Sequence, residues 1–266
     1  MANKKLKVGI LGLGLIGGSI LKSLFYKNKY TLFAVSKSSY KDASNFCCGS
    51  SDRIETLKDC DIVFVCSKMS ETKENLYKLQ DILSDKTIVT DVCSIKNFLP
   101  HNFNFNFISS HPMAGTELSG FENSDAELFK GAKWIIEKDN NILNDLIVDM
   151  GASPVLLNRE MHDVMAAEIS HFPILAAFAL FNAADDESRK IAASGFRDMT
   201  RLCLTNKDLA YDMLNLNRKN IVSAYKKFVN AFDNLLNQSE IEFKNSISLI
   251  AEKRAGMYDK NGKNVS

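Results

Sequence analysis

Hydrophobic and polar residues follow two different rhythms along this chain, and the change falls near residue 158. Before it, short apolar runs at 7–11, 30–35, 61–66, 87–91, 105–109, 134–137 and 155–157 are separated by polar or helically spaced stretches. The first such stretch puts Ile20, Leu21, Leu24 and Phe25 on one helical face. Runs that stay apolar at successive positions predict strands buried on both faces, as in a parallel sheet covered by helices. After Asn158 the strand signals stop. A helix is predicted over 160–182, and its second half, 172–181, is apolar nearly all round, so protein must enclose it. Ile221, Tyr225, Phe228, Phe232 and Leu235 recur at helical spacing. A last helix is predicted over 239–257, and 259–266 reads as a polar, frayed tail. The pattern predicts an α/β domain over 1–158 and an all-helical domain over 159–266. The helical half carries more apolar face than about 100 residues readily bury, so it is expected to pair with a second copy; a compact helical monomer is the alternative.

Composition narrows the class. The chain has 266 residues, enough for two domains, and 45% of them are hydrophobic. A net charge of +1 gives no field that favours nucleic acid or a membrane surface. The longest apolar runs are too short to cross a bilayer. The N-terminal apolar run carries a glycine pattern and no small-residue cleavage site, so it reads as a first strand and not a signal peptide. The cytoplasm is the expected compartment. Cys47, Cys48, Cys60, Cys66, Cys93 and Cys203 form no CxxC pair, and with four histidines there is no zinc spacing, so no metal is expected.

The first run leads into GLGLIGGS, residues 12–19. Strand, Gly12, Gly14, Gly17 and helix occur in the order a dinucleotide fingerprint requires. Gly12 suits the tight turn, Gly14 lets backbone approach a pyrophosphate, and Gly17 permits close helix–strand packing. Leu15 and Ile16 open the helix, whose free amides and partial positive charge favour phosphate. This is the signature of a Rossmann-type, doubly wound sheet. The residue that would meet the adenosine ribose ends the second strand. Here it is Ser36, followed by Lys37, Ser38 and Ser39. No carboxylate is present to repel a 2′-phosphate, which favours NADP over NAD. The backbone of Cys66 and Ser67, closing the third run, is expected to lie along the cofactor.

Two further residues carry chemistry. Ser94 lies in TDVCSIK after the fourth run, and His111 opens HPMAGTE after the fifth. Both are predicted at the carboxyl edge of the sheet, beside the nicotinamide. An imidazole there can take a proton near neutral pH. A hydride leaving a substrate carbon while a proton leaves its oxygen makes the chain a candidate dehydrogenase. The bland readings are a turn histidine, and a serine that caps a following helix.

GLGLIGGS, TDVCSIK, SHPMAGTELSG, EISHFP and GFRDMTR, in that order, resemble the prephenate dehydrogenase family, which includes the arogenate and cyclohexadienyl dehydrogenases of tyrosine biosynthesis. The resemblance runs to about Ala224. It implies a nucleotide-binding domain followed by a helical dimerisation domain. It implies that His111 bonds the substrate's ring hydroxyl and that Ser94 shares this bond. Thr116 and Glu117 would border the pocket, Ser170 and His171 would open the family's SHxPH segment, and Arg201 would clasp a substrate carboxylate. Ile174 stands where that segment has its second histidine, which helps hold the substrate side chain, so prephenate and arogenate both stay open. Ser194 stands where a glycine is often seen.

The implied reaction is oxidative decarboxylation. His111 accepts the hydroxyl proton as C4 yields its hydride to the nicotinamide, the ring carboxylate leaves as CO2, and the ring becomes aromatic. Another hydroxy-acid dehydrogenase is a runner-up, but the lysine those enzymes use is missing from MHDVMAAEISHFP. A non-catalytic NADP-binding sensor is the remaining alternative. About 40 residues beyond Ala224 are too few for a typical ligand-sensing domain, and no mutase domain is expected before the glycine loop, so any tyrosine inhibition is expected at the active site.

Overall fold

The computed structural model describes residues 5–116 and 118–258; the expectations for Glu117 and for the 259–266 tail lie outside them. Strands β1 (Lys7–Leu11), β2 (Thr31–Val35), β3 (Gly49–Ser51), β4 (Ile62–Val65), β5 (Ile88–Asp91) and β6 (Asn106–Ile108) form a parallel sheet in the order β3-β2-β1-β4-β5-β6. Helices α1 (Leu15–Lys27), α2 (Tyr40–Ala43) and α3 (Met69–Gln80) lie on the crossovers. The strand order reverses between β1 and β4, where a doubly wound sheet opens its ligand crevice. β4 shows why the strands read as unbroken apolar runs. Ile62 and Phe64 pack with α1, while Val63 and Val65 pack with α3 on the opposite face. β3 has the sequence GSS and no apolar residue, so it gave no signal.

The later strands do not extend this sheet. β7 (Ser110–Pro112), β8 (Lys133–Ile136) and β9 (Ser153–Leu156) form a separate three-stranded sheet, with β7 antiparallel to β8. Helix α4 (Asn141–Asp149) links β8 and β9. The break comes at Ser109, and a buried polar knot fixes it. Asp91 ends β5 and accepts the Ser109 hydroxyl at 2.8 Å and the Ser110 amide at 3.1 Å. The Lys96 ammonium spans Asp91 Oδ2 and the Ser110 carbonyl. The Ser110 hydroxyl donates to the Asp91 carbonyl and accepts from Thr90 and from the Trp134 indole. Every member of the knot is buried and bonded, as buried polar groups must be.

Beyond Leu156 the described residues are helical. α5 (Arg159–Ala166), one π turn (Ala167–His171) and α6 (Phe172–Ala183) run continuously. They are followed by α7 (Asp186–Arg189), α8 (Ser194–Thr200), α9 (Lys207–Leu216), α10 (Arg218–Leu236) and α11 (Glu240–Met257). Asn158 caps α5 by accepting the Met161 amide at 2.8 Å. The continuous run Arg159–Ala183 has 25 residues and contains an 18-residue window of mean hydropathy 1.7, long and apolar enough to cross a bilayer by length and composition. The apolar runs of the sequence had seemed too short because the polar turns of α5 interrupt them. Those polar residues, His162, Asp163 and His171, are buried and hydrogen-bonded inside the protein. The turns that carry them are docked on protein.

Replacing Lys96 with Met leaves the Asp91 carboxylate buried without its cation. The expected cost is about 3–5 kcal/mol of unfolding free energy, read by chemical denaturation. A loss within experimental error would show that the knot does not hold the two sheets together.

Candidate active site

The glycine loop joins β1 to α1 at the crevice. The Gly12 amide donates to Val35 at 2.8 Å, and Cys66 donates to Leu11 at 2.7 Å. Gly12 has φ +97°, and a β-carbon there would lie 2.7 Å from the Cys66 carbonyl, so no side chain fits. At Gly17 a β-carbon would meet the Gly12 carbonyl oxygen. At Gly14 it would meet nothing within 4 Å. The loop is closed where it packs and open where a phosphate would approach. No side chain caps α1, and its first turn has no acidic residue, so the amides around Leu15 and Ile16 are left to an anion. These residues fit a dinucleotide. At the end of β2 the Ser36 hydroxyl accepts the amides of Ser38 and Ser39 and shapes a turn, and Lys37 is exposed. Cys66 is held as a thiol, well above its usual 9.0, by burial, while Ser67 pairs with Thr72 at 3.3 Å.

His111 lies on β7, in the second sheet, and not in a loop ending the first, because the knot at Asp91 turns the chain one residue earlier. Its Nδ1 is 2.9 Å from Nε2 of His162. His162 Nδ1 is in turn 2.9 Å from Asp163 Oδ1. Asp163 also accepts the backbone amides of Lys96 at 2.8 Å and Asn97 at 2.9 Å. Burial holds His111 well below its usual 6.5, and the facing His162, Lys96 and His171 push the same way. It is therefore neutral across the physiological range.

Ser94 follows β5 but caps no helix, because the β5–β6 connection has none. Its hydroxyl is buried and has no hydrogen-bond partner, and no bond joins it to His111. Ser170 and His171 sit on the π turn, a bulge that re-aims side chains within a continuous helix. His171 is fully buried, its Nδ1 is 3.0 Å from the Asn217 amide nitrogen, and its Nε2 has no partner. Ile174 packs with Met69, Cys93, Ile95 and Met213, an apolar plug between the two halves. Thr116 is exposed and its hydroxyl accepts the Leu118 amide. Arg201 is exposed and lines a cleft of about 490 Å³ with Phe181, Arg197, Thr200 and Cys203; neither His111, Ser94 nor His171 borders that cleft.

Sequence reasoning passed over His162, Asp163, Lys96 and Asn217. The missed signal is an inverted stripe. The residues α5 buries are Arg159, His162, Asp163 and Ala166, at i, i+3, i+4 and i+7, while Met161, Val164 and Met165 face outward. A helix that turns its polar stripe inward is building a site, not a core.

His171 is lowered from 6.5 to about 4, chiefly by burial. The unfolded chain therefore binds a proton that the folded chain refuses between those values. Stability is full above pH 6.5 and falls as pH drops toward 4, with His111 adding in the same direction. Denaturation midpoints at neutral and mildly acidic pH should show this slope, and His171→Gln should flatten it. A midpoint independent of pH over that window would contradict the burial of neutral imidazoles.

Two family models match the chain: "Prephenate dehydrogenase, nucleotide-binding domain" over residues 21–165 and "Prephenate dehydrogenase, dimerization domain" over residues 158–248. A prephenate dehydrogenase of Lactococcus lactis is 32% identical over 216 residues, covering 74% of this chain. The match spans 60% of that relative's length, less than two thirds of it. A crystal structure of Aquifex aeolicus prephenate dehydrogenase, in complex with hydroxyphenyl propionate and NAD+, superposes with a TM-score of 0.83 at 26% identity, covering 96% of this chain and 99% of that one. A Synechocystis arogenate dehydrogenase structure gives 0.81 at 26% identity, covering 94% and 99%. With the nucleotide-binding model alone spanning more than half of it, the chain belongs to the prephenate dehydrogenase family.

Proposed function

We propose that the chain oxidatively decarboxylates prephenate to 4-hydroxyphenylpyruvate with a nicotinamide dinucleotide as hydride acceptor, in tyrosine biosynthesis. The observation that carries this reading is a neutral histidine on β7, three residues beyond the end of β6, bonded from behind by a second histidine. When bound, the nicotinamide takes the hydride. The chain itself accepts the hydroxyl proton at His111, orients that hydroxyl and excludes water. The Ser94 hydroxyl and His171 Nε2 are among the buried polar atoms without a partner in the described residues, and these two are proposed to meet the ligand. Ser170, Thr116 and Glu117 stay proposed pocket residues on the motif alone. Arg201 is proposed as the carboxylate clasp on the same ground, and its separate cleft makes it the first of these to test.

Arogenate is the second reading. Ile174 offers no polar contact to a substrate side chain, and one of the structures this chain resembles is an arogenate dehydrogenase. For the cofactor we propose NADP over NAD, because Ser36, Lys37, Ser38 and Ser39 present hydroxyls and a cation and no carboxylate. We take 1–158 as the nucleotide-binding domain and 159–266 as the helical one. The working form is a homodimer: α10 buries only Ile221 and Ala224, α11 buries nothing, and Tyr225, Phe228, Phe232, Phe243 and Ile250 are exposed. All six cysteines are free thiols, in keeping with a cytoplasmic enzyme.

Ultraviolet absorbance of reduced cofactor, with either acid and either dinucleotide, tests the activity. His111→Asn should abolish turnover while cofactor still binds; near-native turnover in that variant would overturn the mechanism. Arg201→Gln should chiefly raise KM. Lys37→Ala should raise KM for NADP and leave NAD unaffected, and a strong NAD preference in the parent protein would end the NADP proposal. Sedimentation should give twice the chain mass.

A further inference from the structure

The bonds behind His111 run in one direction only. An ionised Asp163 can only accept, so His162 carries its proton on Nδ1. In a neutral His162 ring Nε2 is then a lone pair, and the 2.9 Å contact has His111 donate from its own Nδ1. That leaves His111 Nε2 as the free base. We propose that His162 and Asp163 are positioning residues that lock His111 in the Nδ1–H tautomer and take up the charge it acquires. The inference rests on the reading of His111 as the proton acceptor.

The groups around these rings show where the charge goes. His111 faces His162, Lys96 and His171, and among the described residues no carboxylate is in hydrogen-bond contact with it. The Lys96 ammonium is turned to Asp91, away from the relay. His162 has a carboxylate at hydrogen-bond distance, from Asp163. When the substrate hydroxyl proton arrives on His111 Nε2, the Nδ1 proton passes to His162 Nε2. One proton enters and one moves on, no electrons change hands, and the positive charge ends beside Asp163. Asp163 keeps its place throughout because the Lys96 and Asn97 amides hold both its oxygens.

Proton–nitrogen correlation spectra of the full chain labelled with nitrogen-15 histidine read the tautomers without any turnover. His111 and His162 should both carry their proton on Nδ1 at neutral pH, and removing His162 as His162→Gln should release His111 to a mixture. Either ring found protonated on Nε2 in the parent protein overturns the proposal. His162→Gln keeps the amide bonds of Asp163 and should fold, as thermal unfolding can verify. Its kcat should fall on the order of 10²-fold, with KM and cofactor Kd within about twofold. Adding Asp163→Asn to it should cost little more, since the two act as a unit. An unchanged kcat in folded His162→Gln sinks the proposal. A protein that shows the stated tautomers but turns over neither acid supports the relay and refutes the proposed reaction instead.

Discussion

Asp163 reaches from α5 into the loop after β5, where its carboxylate takes the amides of Lys96 and Asn97 and the Nδ1–H of His162. The group is 1% exposed, so it is tolerable only with those donors in place. Two of them belong to the nucleotide-binding half and one to the helical half. The charge is therefore satisfied only when the halves are docked, and the histidine alignment exists only in that state. Lys96 completes the constraint from the other side. Its backbone is held by Asp163, while its side chain is held by Asp91 and the carbonyl of Ser110, the residue before His111. One lysine thus links the helix that carries His162 to the strand that carries His111.

The helical half is built around that docking. α5 buries a polar stripe and exposes an apolar one, and the π turn that follows shifts the register by which Ser170 and His171 reach inward. α6 then becomes apolar, and Ile174 closes the seam between halves with Met69, Cys93 and Ile95. The outward stripe continues as Ile169, Phe178 and Phe181. A single chain gains nothing from this surface. The two sides of the same helix answer to different partners: the catalytic face to the sheet, the apolar face to a second copy under the proposed assembly.

The sheet was legible because its strands are buried on both sides. Ile62 to Val65 have no polar side chain, and such a run allows little else. β3 was not legible, since Gly49, Ser50 and Ser51 pair through backbone alone. The second sheet was read as part of the first because what separates them is a polar knot around Asp91, and periodicity counts only apolar residues. The glycine loop was legible residue by residue, because each glycine answers a distinct steric demand. His111 can be nominated from its motif, but its hydrogen-bond partners cannot. His162 and Asp163 are neighbours in sequence on a helix whose apolar positions pointed the reader to the wrong face. Ser94 can be nominated in the same way, though its hydroxyl stands unpaired and not on His111. Arg201 lies in its own cleft, a placement that depends on the helical packing, about which motif spacing says nothing.

A base held far below its usual range is always ready and always weak. For the proposed reaction the weakness costs little. The substrate hydroxyl is a poor acid while C4 keeps its hydride, but the same oxygen becomes strongly acidic as the hydride leaves and carbonyl character grows. A weak, permanently neutral acceptor is matched to that late proton and spares the enzyme a competing titration near neutral pH. What such a base lacks is a stable seat for the charge once the proton has arrived, since burial and the His162, Lys96 and His171 side chains that face it all disfavour its charged form. Asp163, one ring further back, supplies that seat without raising the basicity of His111 beforehand. Placed in direct contact, the same carboxylate would have pulled His111 up toward protonation. The intervening imidazole separates readiness from stabilisation, and that separation is a physical reason for two histidines where the chemistry at the substrate needs one.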